Sequence, residues 1–184
     1  MTAADTVNLV CLGPTALPRL RESLERTLGD QAAPLMQEAG YASGAEMFQS
    51  FRSWLSARAD ISDPGELDAS FLSSMVSDFF EEKGWGAVTI EQAGAAALAV
   101  DATQWAEAGS ETTAVVPSCH LTTGILAAFM TELAGDVVAV MQVECLTCGD
   151  NRCRFLAGSP AALQQVFETM TQGRHYSEIL TTPS

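Results

Sequence analysis

Lysine is almost missing from this 184-residue chain: Lys83 is the only one, and arginine brings the basic total to 9 against 23 acidic residues. The resulting net charge of −14 repels phosphate backbones and anionic lipid surfaces, and no Lys/Arg cluster offers a local exception. Nucleic acid and membrane partners are therefore not expected. Long apolar runs are absent too. Gly124–Met130 and Val137–Met141 are among the longest, far short of the ~20 residues that cross a bilayer. The start, Met1–Thr6, carries Asp5 and no basic residue, so it does not read as a secretory leader, and the expected compartment is the cytoplasm. Histidine occurs only at His120 and His175. No G-x-G-x-x-G after a strand and no G-x-S-x-G is found, so the motifs of nicotinamide binding and of nucleophile-elbow hydrolysis are missing. Catalysis by this chain alone is not expected.

What is present is a foldable composition: 47% of residues are hydrophobic and 17% charged, the reverse of a disordered chain. The length suits one domain spanning 1–184. Leu20, Leu24 and Leu28 recur at helical spacing within Pro18–Leu28, a candidate homodimer seam, and Gly29 stops that helix. A second helix, capped by Asp30, runs to about Arg58. Its small residues from Ala39 to Ala45 allow close approach of another backbone or of a flat ligand. A third helix spans Asp68 to Lys83. Ala87–Gln92 and Ala95–Val100 read as a hairpin. A fourth helix follows Pro117, with Ser118 as its cap. Asp136–Leu146, a turn at Thr147–Asn151 and Arg152–Leu156 form a second hairpin, and Ser159-Pro160 opens a last helix that Gly173 ends. Helices and paired strands in this order predict an α+β fold with an antiparallel sheet.

Five cysteines are present, an odd number: Cys11, Cys119, Cys145, Cys148 and Cys153. Three lie within nine residues around the second hairpin turn, where Cys145 and Cys153 would face each other and Cys119 would join them from a helix start. Such thiolates can share a tetrahedral zinc ion, with Cys148 as a further sulfur. Gln142, Glu144 and His120 are other candidates for the fourth position. The same spacing also suits reduced cysteines that pack as small apolar residues, or a redox pair at Cys145 and Cys148. For a ligand pocket, the aromatic and soft apolar candidates are Phe79, Phe80, Trp85, Trp105, Phe129 and Met130. Each is also a plausible core residue; Trp85 stands out because Gly84 and Gly86 flank it.

The segment Cys119-His120-Leu121-Thr122-Thr123-Gly124, then Val137–Cys145, then Gly149-Asp150-Asn151-Arg152-Cys153-Arg154-Phe155 resembles the 4-vinyl reductase domain. Phe79-Phe80, Gly84-Trp85-Gly86 and Trp105-Ala106-Glu107 resemble what precedes that domain in stand-alone members. The core of the resemblance covers 96–158. The family includes bacteriochlorophyll 4-vinyl reductase-like proteins and the aromatic-sensing domains of transcription regulators. The resemblance implies about four antiparallel strands covered by helices, as in TRAPP-type vesicle-tethering subunits, and commonly a dimer. It implies zinc at the positions of Cys119, Gln142, Cys145 and Cys153, where glutamine replaces the family's glutamate. It further implies a stand-alone protein that binds an apolar, aromatic or tetrapyrrole-like molecule as sensor, carrier or accessory subunit. The alternatives are an enzyme component of (bacterio)chlorophyll synthesis and a dimeric scaffold without ligand.

Overall fold

The computed structural model describes residues 9–10, 12–13, 15–109 and 114–180, without the side chain of Ile179. Met1–Thr6, Cys11 and part of the Gly109–Pro117 loop lie outside the described residues. The elements are α1 (Ala16–Leu28), α2 (Ala32–Ala59), α3 (Ala69–Glu82), β1 (Thr89–Ala93), β2 (Ala97–Ala102), α4 (His120–Ala134), β3 (Ala139–Glu144), β4 (Cys153–Gly158), α5 (Pro160–Thr171) and α6 (Tyr176–Leu180). The strands form one antiparallel sheet in the order β1-β2-β4-β3. This is the expected α+β class.

Local chemistry explains most of the boundaries. Asp68 caps α3 by accepting from the amides of Ser70 and Phe71 at 3.1 and 3.0 Å, and Ser159 caps α5 by accepting from the amide of Ala162 at 3.2 Å. Asp30 does not cap α2; it sits in a short 3-10 turn, Gly29–Gln31, that links α1 to α2. The first hairpin lies two residues later than its periodicity suggests, because Gly94 takes the positive φ of 72° that its turn needs.

The sheet separates two apolar clusters. Its inner face presents Val100, Ala102, Cys153, Phe155 and Ala157 to α2, α3 and α4, while Ala97, Ala99 and Leu156 on the outer face meet Leu163 and Val166 of α5 and Tyr176 of α6. Strand alternation produces this division. One bulge interrupts it: Gln142 pairs with Phe155 but Glu144 pairs with Arg154, so the two residues face opposite sides of the sheet. Gln142 turns toward α4, and Glu144 joins Arg152 and Tyr176 on the outside.

The small residues of α2 serve helix packing. A Cβ on Gly40 would sit 2.0 Å from the Leu121 carbonyl oxygen, one on Gly44 would sit 2.5 Å from that of Ile125, and one on Gly124 would sit 2.1 Å from that of Gln37. Backbone meets backbone across α2 and α4, leaving no flexible side chain to yield. Gly124→Ala is therefore expected to destabilise the protein by about 1–3 kcal/mol, read as a lower urea midpoint at unchanged slope. An unchanged midpoint would contradict this packing.

Candidate ligand cleft and thiol cluster

α4 begins at Cys119, yet neither Cys119 nor Ser118 caps it with a side chain. Ser118 instead shares a 2.8 Å hydrogen bond with Thr147 of the hairpin loop. The cap comes from distant sequence. The fully buried Glu107 carboxylate accepts from the amides of Leu121 and Thr122 at 2.9 and 2.7 Å and from the Thr122 hydroxyl at 2.5 Å. Gln142 Oε1 accepts from the Cys119 amide at 2.9 Å. The free amides of a helix start are thus met by two side chains that sequence proximity gives no reason to choose. Burial raises the Glu107 pKa above its ordinary value, against the hydrogen bonds from Thr122 and Leu121 that lower it.

The geometry at this helix start brings three buried sulfurs together. Cys119 Sγ lies 3.8 Å from Cys145 Sγ and 3.9 Å from Cys153 Sγ, and all three sulfurs lie within 4.8 Å of one another. The ladder between β3 and β4 ends at the Glu144–Arg154 pair, one residue before Cys145 and one after Cys153, so the hairpin delivers both thiols to the same end of the sheet. Cys145 and Asp150 close the loop: the Cys145 amide donates to Asp150 Oδ2 at 2.7 Å, and Gly149 supplies a φ of 92°. Hydrogen bonds from Cys119 and Cys153 hold the Cys145 thiol well below its ordinary pKa, whereas donation to Cys145 and Cys153, with burial, holds Cys119 well above it. Cys148 is half-buried in the loop and is not part of the three-sulfur group; burial pushes its thiol up to about 11. Glu144 is turned away from the cluster and held by Arg152 at 2.7 Å on the outer face. His120 is not a member of the three-sulfur group either.

The six aromatic and apolar candidates separate into two sets. Phe79, Phe80, Phe129 and Met130 are buried in the main core. Phe80 and Phe129 have ring centroids 5.4 Å apart, and Phe51–Phe79 and Phe48–Phe129 pack at 5.4 and 5.5 Å. These rings fill the interior between the helices and the sheet. Trp85 and Trp105, 5.7 Å apart, instead line a cleft of about 730 Å³ between α1, the Gly84–Gly86 turn and the 103–109 segment. Its wall is more polar than the apolar hollow expected from sequence, with Thr15, Arg19, Glu22, Thr103 and Gln104 beside the indoles.

Arg21 carries no signal of its own in the sequence, although it lies beside the leucines of the α1 stripe. α1 turns Leu17 and Arg21 inward, leaving Leu20 and Leu28 at 50% and 39% exposure. Arg21 is 2% exposed and lines the cleft; its Nη1 donates to the Glu107 backbone carbonyl at 3.1 Å, while its Nε has no hydrogen-bond partner among the described residues. An unmet buried donor of this kind costs about 1–3 kcal/mol.

An α+β sheet with helices on both faces and a trithiol group joining a helix start to a hairpin defines the class. Residues 106–159 match the model of the 4-vinyl reductase domain, so the chain carries that domain, in agreement with the resemblance read from its motifs. No curated protein matches by sequence. Among solved structures, the phenol-responsive sensory domain of the transcription activator PoxR, with phenol, is similar at 22% identity and a TM-score of 0.60, covering 82% of this chain and 76% of that one. Subunit 3 of a trafficking protein particle complex from Naegleria fowleri, covalently bound to palmitic acid, is similar at 9% identity and a TM-score of 0.60, covering 79% and 91%. A vinyl-4-reductase family protein from Methanocaldococcus jannaschii aligns at 13% identity with a TM-score of 0.47 over 82% and 98%. The first two similarities establish the shared fold.

Because folding raises the Glu107 pKa, the folded protein holds a proton at pH values where the unfolded chain has released it. This contribution is fully present below the ordinary value of 4.5 and is lost as pH rises through the raised folded value. Melting temperature measured between pH 4.5 and 7 should therefore fall less steeply in Glu107→Gln than in the parent. Identical slopes would show that Glu107 does not titrate in this way.

Proposed function

We propose that this protein is a small-molecule-binding sensor or carrier domain whose ligand enters the Trp85–Trp105 cleft and whose thiol cluster holds a structural zinc ion. The observation that carries the reading is the double role of Trp105. Its ring lines the cleft, and its Nε1 donates to Thr122 Oγ1 at 2.7 Å; Thr122 in turn donates to Glu107. A molecule against Trp105 thus bears on the groups that fix the start of α4. The cleft also includes Leu146, the residue after Cys145. The two elements that the cleft reaches are therefore those that the sulfurs join. The phenol-bound PoxR domain supports the same kind of role on this fold. The enzyme-component alternative gains no group here beyond those that bind and position.

The sulfur geometry suits zinc. A tetrahedral ion with Zn–S bonds of about 2.3 Å places its sulfurs about 3.8 Å apart, and the spacings seen are 3.8 and 3.9 Å. Cys119, Cys145 and Cys153 would hold the ion. Gln142 keeps its oxygen on the Cys119 amide, which leaves Cys148 as the nearby protein donor for the fourth position. Bound zinc would tie α4 to the hairpin and stabilise the fold without taking part in chemistry. Pairing through the exposed Leu20 and Leu28 face of α1, in the cytoplasm, completes the proposal; among the described residues no helix is long and apolar enough to cross a membrane.

Metal analysis of purified protein is expected to find about one zinc per chain, and Cys145→Ser should lose it together with several degrees of melting temperature. No metal in the parent protein would end the zinc reading. For the cleft, a saturating aromatic such as 2-naphthol should raise the melting temperature. Trp85→Ala, which alters a half-buried cleft residue, should remove that rise while leaving the ligand-free melting temperature nearly unchanged. A rise that survives Trp85→Ala would place the ligand elsewhere.

A further inference from the structure

The feature this reading leaves unused is the guanidinium of Arg21. In a chain with a net charge of −14, an arginine at 2% exposure in the wall of a cleft requires an explanation. Its neighbours satisfy it only in part. Nη1 is engaged by the Glu107 carbonyl at 3.1 Å, and the Glu25 carboxylate stands 3.7 Å from Nε, beyond hydrogen-bond reach. Glu22 is engaged with Arg19 at 2.9 Å. The Glu107 carboxylate is directed at α4, where it accepts from Leu121 and Thr122. His120 is the remaining titratable group whose charge interacts with Arg21. Among the described residues the Nε donor is therefore unmet and fixed, at a cavity whose other notable groups are two indole rings 5.7 Å apart. Planar guanidinium forks select carboxylates by paired hydrogen bonds, and indole faces select flat apolar rings.

Resting on the cleft reading above, we propose that the ligand is an aromatic carboxylate, its ring against Trp85 and Trp105 and its carboxylate on Arg21. This differs from a plain hydrocarbon or neutral aromatic ligand, for which the buried guanidinium would remain unmet. It also accounts for the mixed wall: an amphiphilic molecule needs both the indoles and the polar rim of Thr103 and Gln104. The carboxylate completes the donor set of Arg21, and through the shared Glu107 residue its arrival is felt at the helix start that carries Cys119.

The test is calorimetric titration of the full chain at pH 7 with 2-naphthoate and with its neutral counterpart 2-naphthamide. A charge-assisted hydrogen bond makes the acid bind about tenfold to a hundredfold more tightly than the amide. Arg21→Met should erase that preference, whereas Trp85→Ala should weaken both ligands alike. Equal affinities, or a tighter amide, would overturn the carboxylate assignment and leave the aromatic cleft standing. Binding of neither compound would overturn both. If Arg21→Met does not fold, as circular dichroism would show, the comparison of acid and amide on the parent protein decides the matter.

Discussion

The buried carboxylate of Glu107 is the interaction on which the arrangement around α4 depends. It meets two amides and one hydroxyl at the helix start while its own backbone carbonyl receives Arg21 from α1. A single residue thereby places α4 relative to α1 and to the segment bearing Trp105. The position of Cys119, and hence of the sulfur group, follows from where that helix begins. Removing the carboxylate's burial would relieve its desolvation, but it would also leave the helix start without acceptors, which explains why so costly a group can be retained.

The two faces of the sheet have different tasks. The inner face and its helices form a close-packed aromatic core, which provides rigidity. The outer face carries a polar network in which Arg154 meets Asp101 at 2.6 and 2.7 Å, Arg152 meets Glu144, and Tyr176 donates to Glu144. That network ties α6 to β2, β3 and β4. The bulge between Gln142 and Glu144 is what allows adjacent parts of one strand to serve both faces: the amide of Gln142 supports α4, and the carboxylate of Glu144 supports the outer network.

Signals that are local in sequence were legible. The caps at Asp68 and Ser159, the helical stripes of α3 and α5, and the strand pairing around Gly149 all depend on residues a few positions apart. The convergence of Cys119, Cys145 and Cys153 was legible because a hairpin opposes its own ends and a helix start is a natural third point. Less accessible were features set by distant partners. Glu107 displaced Ser118 as the cap because its carboxylate arrives from a separate loop well upstream of the helix-starting thiol. The inward face of α1 was hidden because leucine spacing suggested one stripe, while packing against the 103–109 segment selected Leu17 and Arg21. The aromatic residues could not be sorted by type alone: Phe79, Phe80 and Phe129 fill the interior, and only the glycine-flanked Trp85 and its neighbour Trp105 reach a cleft.

The glycine-mediated contact of α2 with α4 has a mechanical consequence. Where carbonyl groups of one helix abut the bare Cα atoms of another, neither helix can slide without immediate collision, so the pair behaves as a stiff beam. Any shape change that accompanies occupation of the cleft must then be taken up by the lighter pieces mounted on that beam, namely α1 and the stretch that carries Trp105. Signalling by this molecule would accordingly resemble the tilting of a lever on a fixed frame rather than the opening of two halves.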